Sequence, residues 1–215
     1  MIKVSKLALA LTVLAVIGAC AQTKTVPLGT EQAGFIYPVR EVGVYSHPEL
    51  SGKLPECALI LPVQKSAKFE KLGEEPTEIL ERHLHSKFER IILVADWRHK
   101  ADRLGLDFRH SEDQIELARG FGCDAVVRSR LIGSGVSNFL VWSRSDVGIE
   151  AVLLDISDNQ VLWRARHIAD RSHGGLPLSP LGLFVDSYSA QTFASDEEAV
   201  LSILEDAVRR ISTTL

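Results

Sequence analysis

Three short apolar runs alternate with two amphipathic stretches, and this alternation limits the fold more than any other feature of the chain. CALILPV, 57–63, is a continuous apolar run of the length expected for a strand buried on both faces. EEPTEILERHLHSKF follows, with Pro76 early, acidic residues at the start and Ile79, Leu80, Leu84 and Phe88 on one stripe. That pattern predicts an amphipathic helix. RIILVAD, 90–96, predicts a second buried strand. HSEDQIELARGFGCD opens with Ser111 and Gln114 at capping-box spacing and stops at Gly120 or Gly122, so a second helix is expected there. AVVRSRLIG, from Ala125, predicts a third strand.

Beyond this point the pattern changes from crossovers to hairpins. DVGIEAVLLDIS and QVLWRARHIAD flank Asp158-Asn159, residues that tolerate the positive φ of a tight turn. SDEEAVLSILEDAVRRI then carries a second capping box, Ser195 with Glu198, and an apolar stripe of Val200, Ile203, Leu204, Ala207, Val208 and Ile211. The expected fold is α+β with an α/β start: β-α-β-α-β, an antiparallel hairpin and a C-terminal helix. One mixed sheet with helices packed on it accommodates that order.

The front of the chain has a different character. Lys3 and Lys6 precede an apolar run from Leu7 to Gly18, with Gln22, Thr23 and Lys24 close behind. A spanning helix needs about 20 apolar residues, more than this run supplies. A core helix would show polar residues at helical spacing, and only Thr12 interrupts this one. A basic n-region, a short apolar h-region and small residues before a cut site are the marks of a secretory signal peptide. Ile17-Gly18-Ala19-Cys20 resembles the bacterial lipobox, with Ile where Leu is commoner. The resemblance implies that Cys20 is lipidated on sulfur, becomes the first residue after cleavage and is acylated (typically with palmitate) on its new amino group. Ala21, in place of Asp, implies sorting to the outer membrane. Several acyl chains anchor stably where one is marginal.

The chain then divides into a signal peptide, 1–19, a lipid-anchored tether, 20–55, and a single periplasmic domain, 56–215. The tether has little periodicity, with short extended pieces around Tyr37 to Tyr45. With 46% hydrophobic residues and a net charge of −4, the body can form a core. No long basic run or RNA-binding aromatic signature is present, which argues against nucleic acid as a partner.

The strand and hairpin wording, ALILPV, GCDAVV and LLDISDNQVLW, resembles periplasmic lipoproteins of the CsgG, LpoB and TolB N-terminal-domain type. The likeness covers roughly residues 57 to 171 and the last helix. It implies a non-enzymatic envelope accessory that assembles a secretion pore, activates a peptidoglycan synthase or scaffolds an export machine. The partner would be an envelope protein or a second copy, with no small-molecule cofactor.

Two cysteines remain once Cys20 is assigned to lipid. In a right-handed β-α-β-α-β sheet the first and third strands are commonly parallel neighbours, which would bring Cys57 and Cys123 to one end of adjacent strands. A disulfide and a pair of buried free thiols both fit that placement. His83, His85, His99 and His110 could be collected into a metal site. His83 and His85, however, are two apart on a helix, and neither HExxH nor CxxC occurs, so surface histidines are the expectation. His173, Ser179 and Asp186 could be assembled into a hydrolase triad, but no GxSxG surrounds Ser179. GSGVS, 133–137, follows a strand and leads into more strand-like sequence, unlike a phosphate loop.

Two segments fit neither core nor simple turn. SNFLVWSRS, 137–145, is either a hairpin tip presenting Phe139 and Trp142 or a continuing strand with one face buried. The Gly/Pro-rich loop 172–194 carries Leu176, Leu178, Leu181, Leu183, Phe184 and Tyr188, too many apolar groups for a solvated loop. Long connections in compact domains are often functional. These residues are the expected contact surface for a partner or a second copy; a cover over one end of the sheet is the other reading. The function expected is that of an outer-membrane-anchored adaptor or scaffold rather than an enzyme, with a periplasmic hydrolase as the alternative.

Overall fold

The computed structural model describes residues 23–28, 41–51, 53–139, 142–173 and 197–215. Their strands are β1 (Lys24–Pro27), β2 (Glu41–Ser46), β3 (Cys57–Ile60), β4 (Arg90–Ile92), β5 (Ala125–Phe139), β6 (Trp142–Asp155) and β7 (Val161–His173). The helices are α1 (Glu75–Leu84), α2 (Val94–Leu104), α3 (Ser111–Gly120) and α4 (Glu197–Ser212), with short 3-10 turns at Pro48–Ser51 and Ala67–Leu72. All seven strands join one mixed sheet in the order β1-β2-β7-β6-β5-β3-β4. The α+β fold with helices packed on one mixed sheet is thus the fold observed.

β3 is buried at every residue, as its unbroken apolar run requires, and it runs parallel to both β4 and β5. α1 and α4 cover one face of the sheet. There Ile79, Leu80 and Leu84 meet Ile203, Leu204, Ala207, Val208 and Ile211 over Ile60, Val127, Ile149, Leu153 and Trp163. α2 and α3 cover the opposite face only around β3 and the start of β5, packing Trp97, Ala101, Leu117 and Ala118 on Leu59 and Val126. Trp97 is fully buried, and its indole N–H donates to the Ile60 carbonyl at 2.8 Å.

Three local expectations are corrected. RIILVAD is not one buried strand: β4 is a three-residue edge strand with exposed and half-buried positions, and Val94 starts α2. The run ends because Asp96 accepts the Leu93 N–H at 3.2 Å and Glu81, from α1, accepts the Val94 N–H at 2.7 Å. These bonds satisfy donors that a helix start leaves free. Val94, Trp97 and Ala101 then form the buried stripe of α2.

Ser111 does not cap α3. His110 is the N-cap, and Gln114 turns inward, donating to the Phe108 carbonyl and accepting from Arg128 Nε, both at 2.6 Å. Finally, the stretch read as a tether supplies β1 and β2 to the sheet, β2 pairing antiparallel with β7. Ser195 of the second capping box lies outside the described residues.

Candidate functional site: the far end of three long strands

β5, β6 and β7 run 15, 14 and 13 residues, several times the length of β3 and β4. Their near halves are held by neighbours. β3 pairs with β5 up to Val127, the chain from Leu61 to Gln64 continues that contact to Leu131, and β2 covers β7 from Trp163 to Arg166. The last such contact on β7 is the bond between His167 Nδ1 and the Glu41 carbonyl, 2.9 Å. Beyond Leu131 and His167 the described residues place no strand on either outer edge. Three strands therefore continue as an arm of roughly seven rungs, on the order of 23 Å long.

Two glycines shape the root of this arm. Gly133 adopts φ 117° beside the register shift between Ile132 and Gly135, and a Cβ on it would lie 2.6 Å from the Asp146 carbonyl oxygen. A Cβ on Gly148 would lie 2.0 Å from the His167 carbonyl oxygen. Only glycine allows the backbones of β5, β6 and β7 to approach this closely, and a bulge at this level bends and twists the strands that follow.

The arm brings the hairpin tip and the end of β7 to one place. Phe139 pairs with Trp142 as the last rung of the β5–β6 hairpin, so the strand continues to the very tip. Ser143 pairs with His173, so the first two residues of the stretch read as a loop, Ser172 and His173, continue β7. The hairpin tip and the base of the loop thus leave the sheet at the same end. Leu176, Leu178, Leu181, Leu183, Phe184 and Tyr188 lie outside the described residues, as does Cys20. Of the triad candidates, His173 closes β7, while Ser179 and Asp186 also lie outside.

Cys57 and Cys123 are joined as a disulfide with their α-carbons 4.6 Å apart, at the start of β3 and just before β5. This is at the opposite end of the sheet from the arm's tip, and both residues are buried. The histidines are dispersed. His83 stands 3.6 Å from Glu205 of α4, and His110 stands 3.6 Å from Asp107. Asp107 is held down at about 2 by the guanidinium and N–H of Arg109. No group of three or more metal-ligating side chains occurs among the described residues.

The sequence reading missed one surface. On the face of β5, β6 and β7 opposite α4, Arg130, Glu150 and Arg166 form one rung, and Arg128, Val152 and Arg164 form the next. The alternation in AVVRSR and LWRARH is the signal that marks it.

No protein-family model matches the chain, and no curated protein matches it. Among solved structures, the PelC dodecamer from Paraburkholderia phytofirmans matches with a TM-score of 0.43 and 16% identity, covering 80% of this chain and 96% of that one. Lipoprotein GNA1162 from Neisseria meningitidis matches with a TM-score of 0.43 and 19% identity over 66% of this chain and all of that one. The LpoB C-terminal domain from Escherichia coli matches with a TM-score of 0.39 and 15% identity over 57% of this chain and 88% of that domain. Likeness at this level says nothing of activity or partner.

Proposed function

We propose that the chain is an outer-membrane lipoprotein, cut before Cys20 and acylated there. Its body stands in the periplasm as a non-enzymatic adaptor or self-assembling scaffold of an envelope machine. The observation that carries this reading is the convergence of the Phe139–Trp142 tip and the base of the apolar loop at the end of one arm. The arm's outer edges hold no strand among the described residues, and an open edge is a template for pairing with another chain. The basic front end, short apolar run and lipobox-like Ile17 to Cys20 support the anchor. No helix among the described residues is long and apolar enough to cross a membrane.

The test is a photo-crosslinking amino acid placed at Trp142 in cells. A discrete adduct with one envelope protein, or with a second copy, supports the proposal. A probe that yields no adduct above that of a probe at exposed Leu104 refutes it.

A further inference from the structure

The sheet face opposite α4 carries, beyond the part that α2 and α3 cover, a concentration of cations that neither the core nor the arm's tip uses. Across β5, β6, β7 and β2 the register aligns Arg130, Glu150, Arg166 and Gly43, then Arg128, Val152, Arg164 and Tyr45. Residues two apart on a strand share a face, so these two rungs form one patch. Glu150 is the carboxylate of these two rungs, and Glu41, one rung on along β2, is paired with Lys24. Arg130 binds Glu150 through Nε and Nη2 at 3.0 and 2.7 Å, and Arg164 Nε stands 3.9 Å away. The Nε atoms of Arg164 and Arg166 are themselves buried and reach no hydrogen-bond acceptor. Arg128 leans on Gln114 of α3, a neutral partner. Among the described residues, four guanidinium groups on these two rungs thus share one carboxylate. Among the described residues, α2 and α3 stop at one border of this patch and no helix crosses it.

The position of the patch relative to the anchor indicates what it faces. β1 begins at Lys24, four residues after Cys20, a span of at most about 14 Å even fully extended. Val26 of β1, Gly43 of β2 and Arg166 of β7 are aligned across three adjacent strands, so Arg166 lies about 10 Å from β1. A chain lipidated at Cys20 therefore holds this face within reach of the bilayer surface. We propose that the Arg128, Arg130, Arg164 and Arg166 face lies against the headgroups of anionic phospholipids and sets the orientation of the body on the membrane. The inference rests on the anchor proposed above. Basic residues near an anionic surface add attraction that needs charge rather than a shaped pocket.

The experiment is co-sedimentation of residues 20–215 carrying Cys20→Ser, a chain that contains every described element and no acyl group. The vesicles are mixed phosphatidylglycerol and phosphatidylethanolamine, or phosphatidylcholine alone. Binding to the anionic vesicles only, abolished by high salt, is expected. Arg164→Gln/Arg166→Gln should weaken it roughly thirty-fold, about five-fold per arginine. Arg164→Lys/Arg166→Lys keeps the charge and should bind within about three-fold of the parent, a comparison that survives if the Gln variant fails to fold. Arg98→Gln/Arg103→Gln, on α2, is the matched control and should bind nearly as the parent does.

Equal loss in the control, a Lys variant as weak as the Gln variant, or a parent indifferent to anionic vesicles overturns the inference. Free inorganic phosphate that displaces the protein at matched ionic strength also overturns it, because the ligand is then a small anion. Mass spectrometry of the native chain for acyl groups on Cys20 tests the anchor separately. An acylated chain whose soluble form ignores anionic vesicles sinks this inference alone.

Discussion

Ser143 and His173 face each other at the last rung of the β6–β7 ladder. One residue before Ser143 stands Trp142, paired with Phe139 at the hairpin tip, and the apolar residues of the 172–194 stretch follow His173 in the chain. If this end of the arm is the contact surface, Phe139→Ser and Trp142→Ser should weaken association at least ten-fold. Unfolding free energy should stay within about 0.5 kcal/mol, as for substitutions outside a core. Pull-down and urea titration on the same preparations check both halves.

The root of the arm should be far less tolerant. Gly148→Ala forces a methyl against the His167 carbonyl oxygen and the Ile168 α-carbon, both backbone atoms that cannot rotate away. We expect a loss on the order of 3 kcal/mol in urea unfolding, the upper range for overpacking. A variant as stable as the parent would show that β6 and β7 do not approach this closely.

The Cys57–Cys123 bond closes a loop of 66 residues between β3 and β5. Cys57→Ala/Cys123→Ala should cost about 2–4 kcal/mol, chiefly by freeing the unfolded chain. Non-reducing peptide mapping should recover the linked pair. Two free thiols in protein isolated without reductant would refute the pairing.

His167 is buried against the α4 side of the sheet, and burial pushes its pKa below the usual imidazole value. Its bond to the Glu41 carbonyl and the nearby Asp206 oppose that shift, while Arg210 adds to it. The folded state therefore binds the proton less readily than the unfolded chain. Its contribution to stability is fully present above the unfolded value near 6.5 and is lost as pH falls through it toward the folded value. Melting temperature should decline from pH 7 to pH 5, and His167→Gln should remove that part of the slope. An identical slope in the variant would contradict the assignment.

The fold was readable wherever period and burial agree. The all-buried β3, the α1 stripe and the α4 stripe follow from their sequences because one face, or both, must leave water. RIILVAD misleads because an apolar run has no period of its own. The chain turns from edge strand to helix at Leu93, and the deciding signals are Asp96 and a carboxylate from another helix, Glu81. The extended pieces expected around Tyr37 to Tyr45 overlap β2, but that β2 joins the sheet depends on β7, a partner more than a hundred residues away, and β1 in turn pairs only with β2. At the candidate site the sequence singles out Phe139, Trp142 and the apolar loop as contact residues by their type. Only the register of β5 on β6 and β6 on β7 shows that the Phe139–Trp142 tip and His173, where the described part of β7 ends, share one end. The arginine face was missed for the same reason, since its rungs exist only across strands.

The account turns on association through the arm. The most direct measurement is the mass of the purified lipidated protein in detergent by light scattering, for the parent and for Trp142→Ser/Leu183→Ser/Phe184→Ser. The parent should run as a closed assembly of several copies, or hold one co-purifying envelope protein, and the variant should run as a folded monomer. A parent that is monomeric and unaccompanied, or a variant that assembles as the parent does, would contradict it.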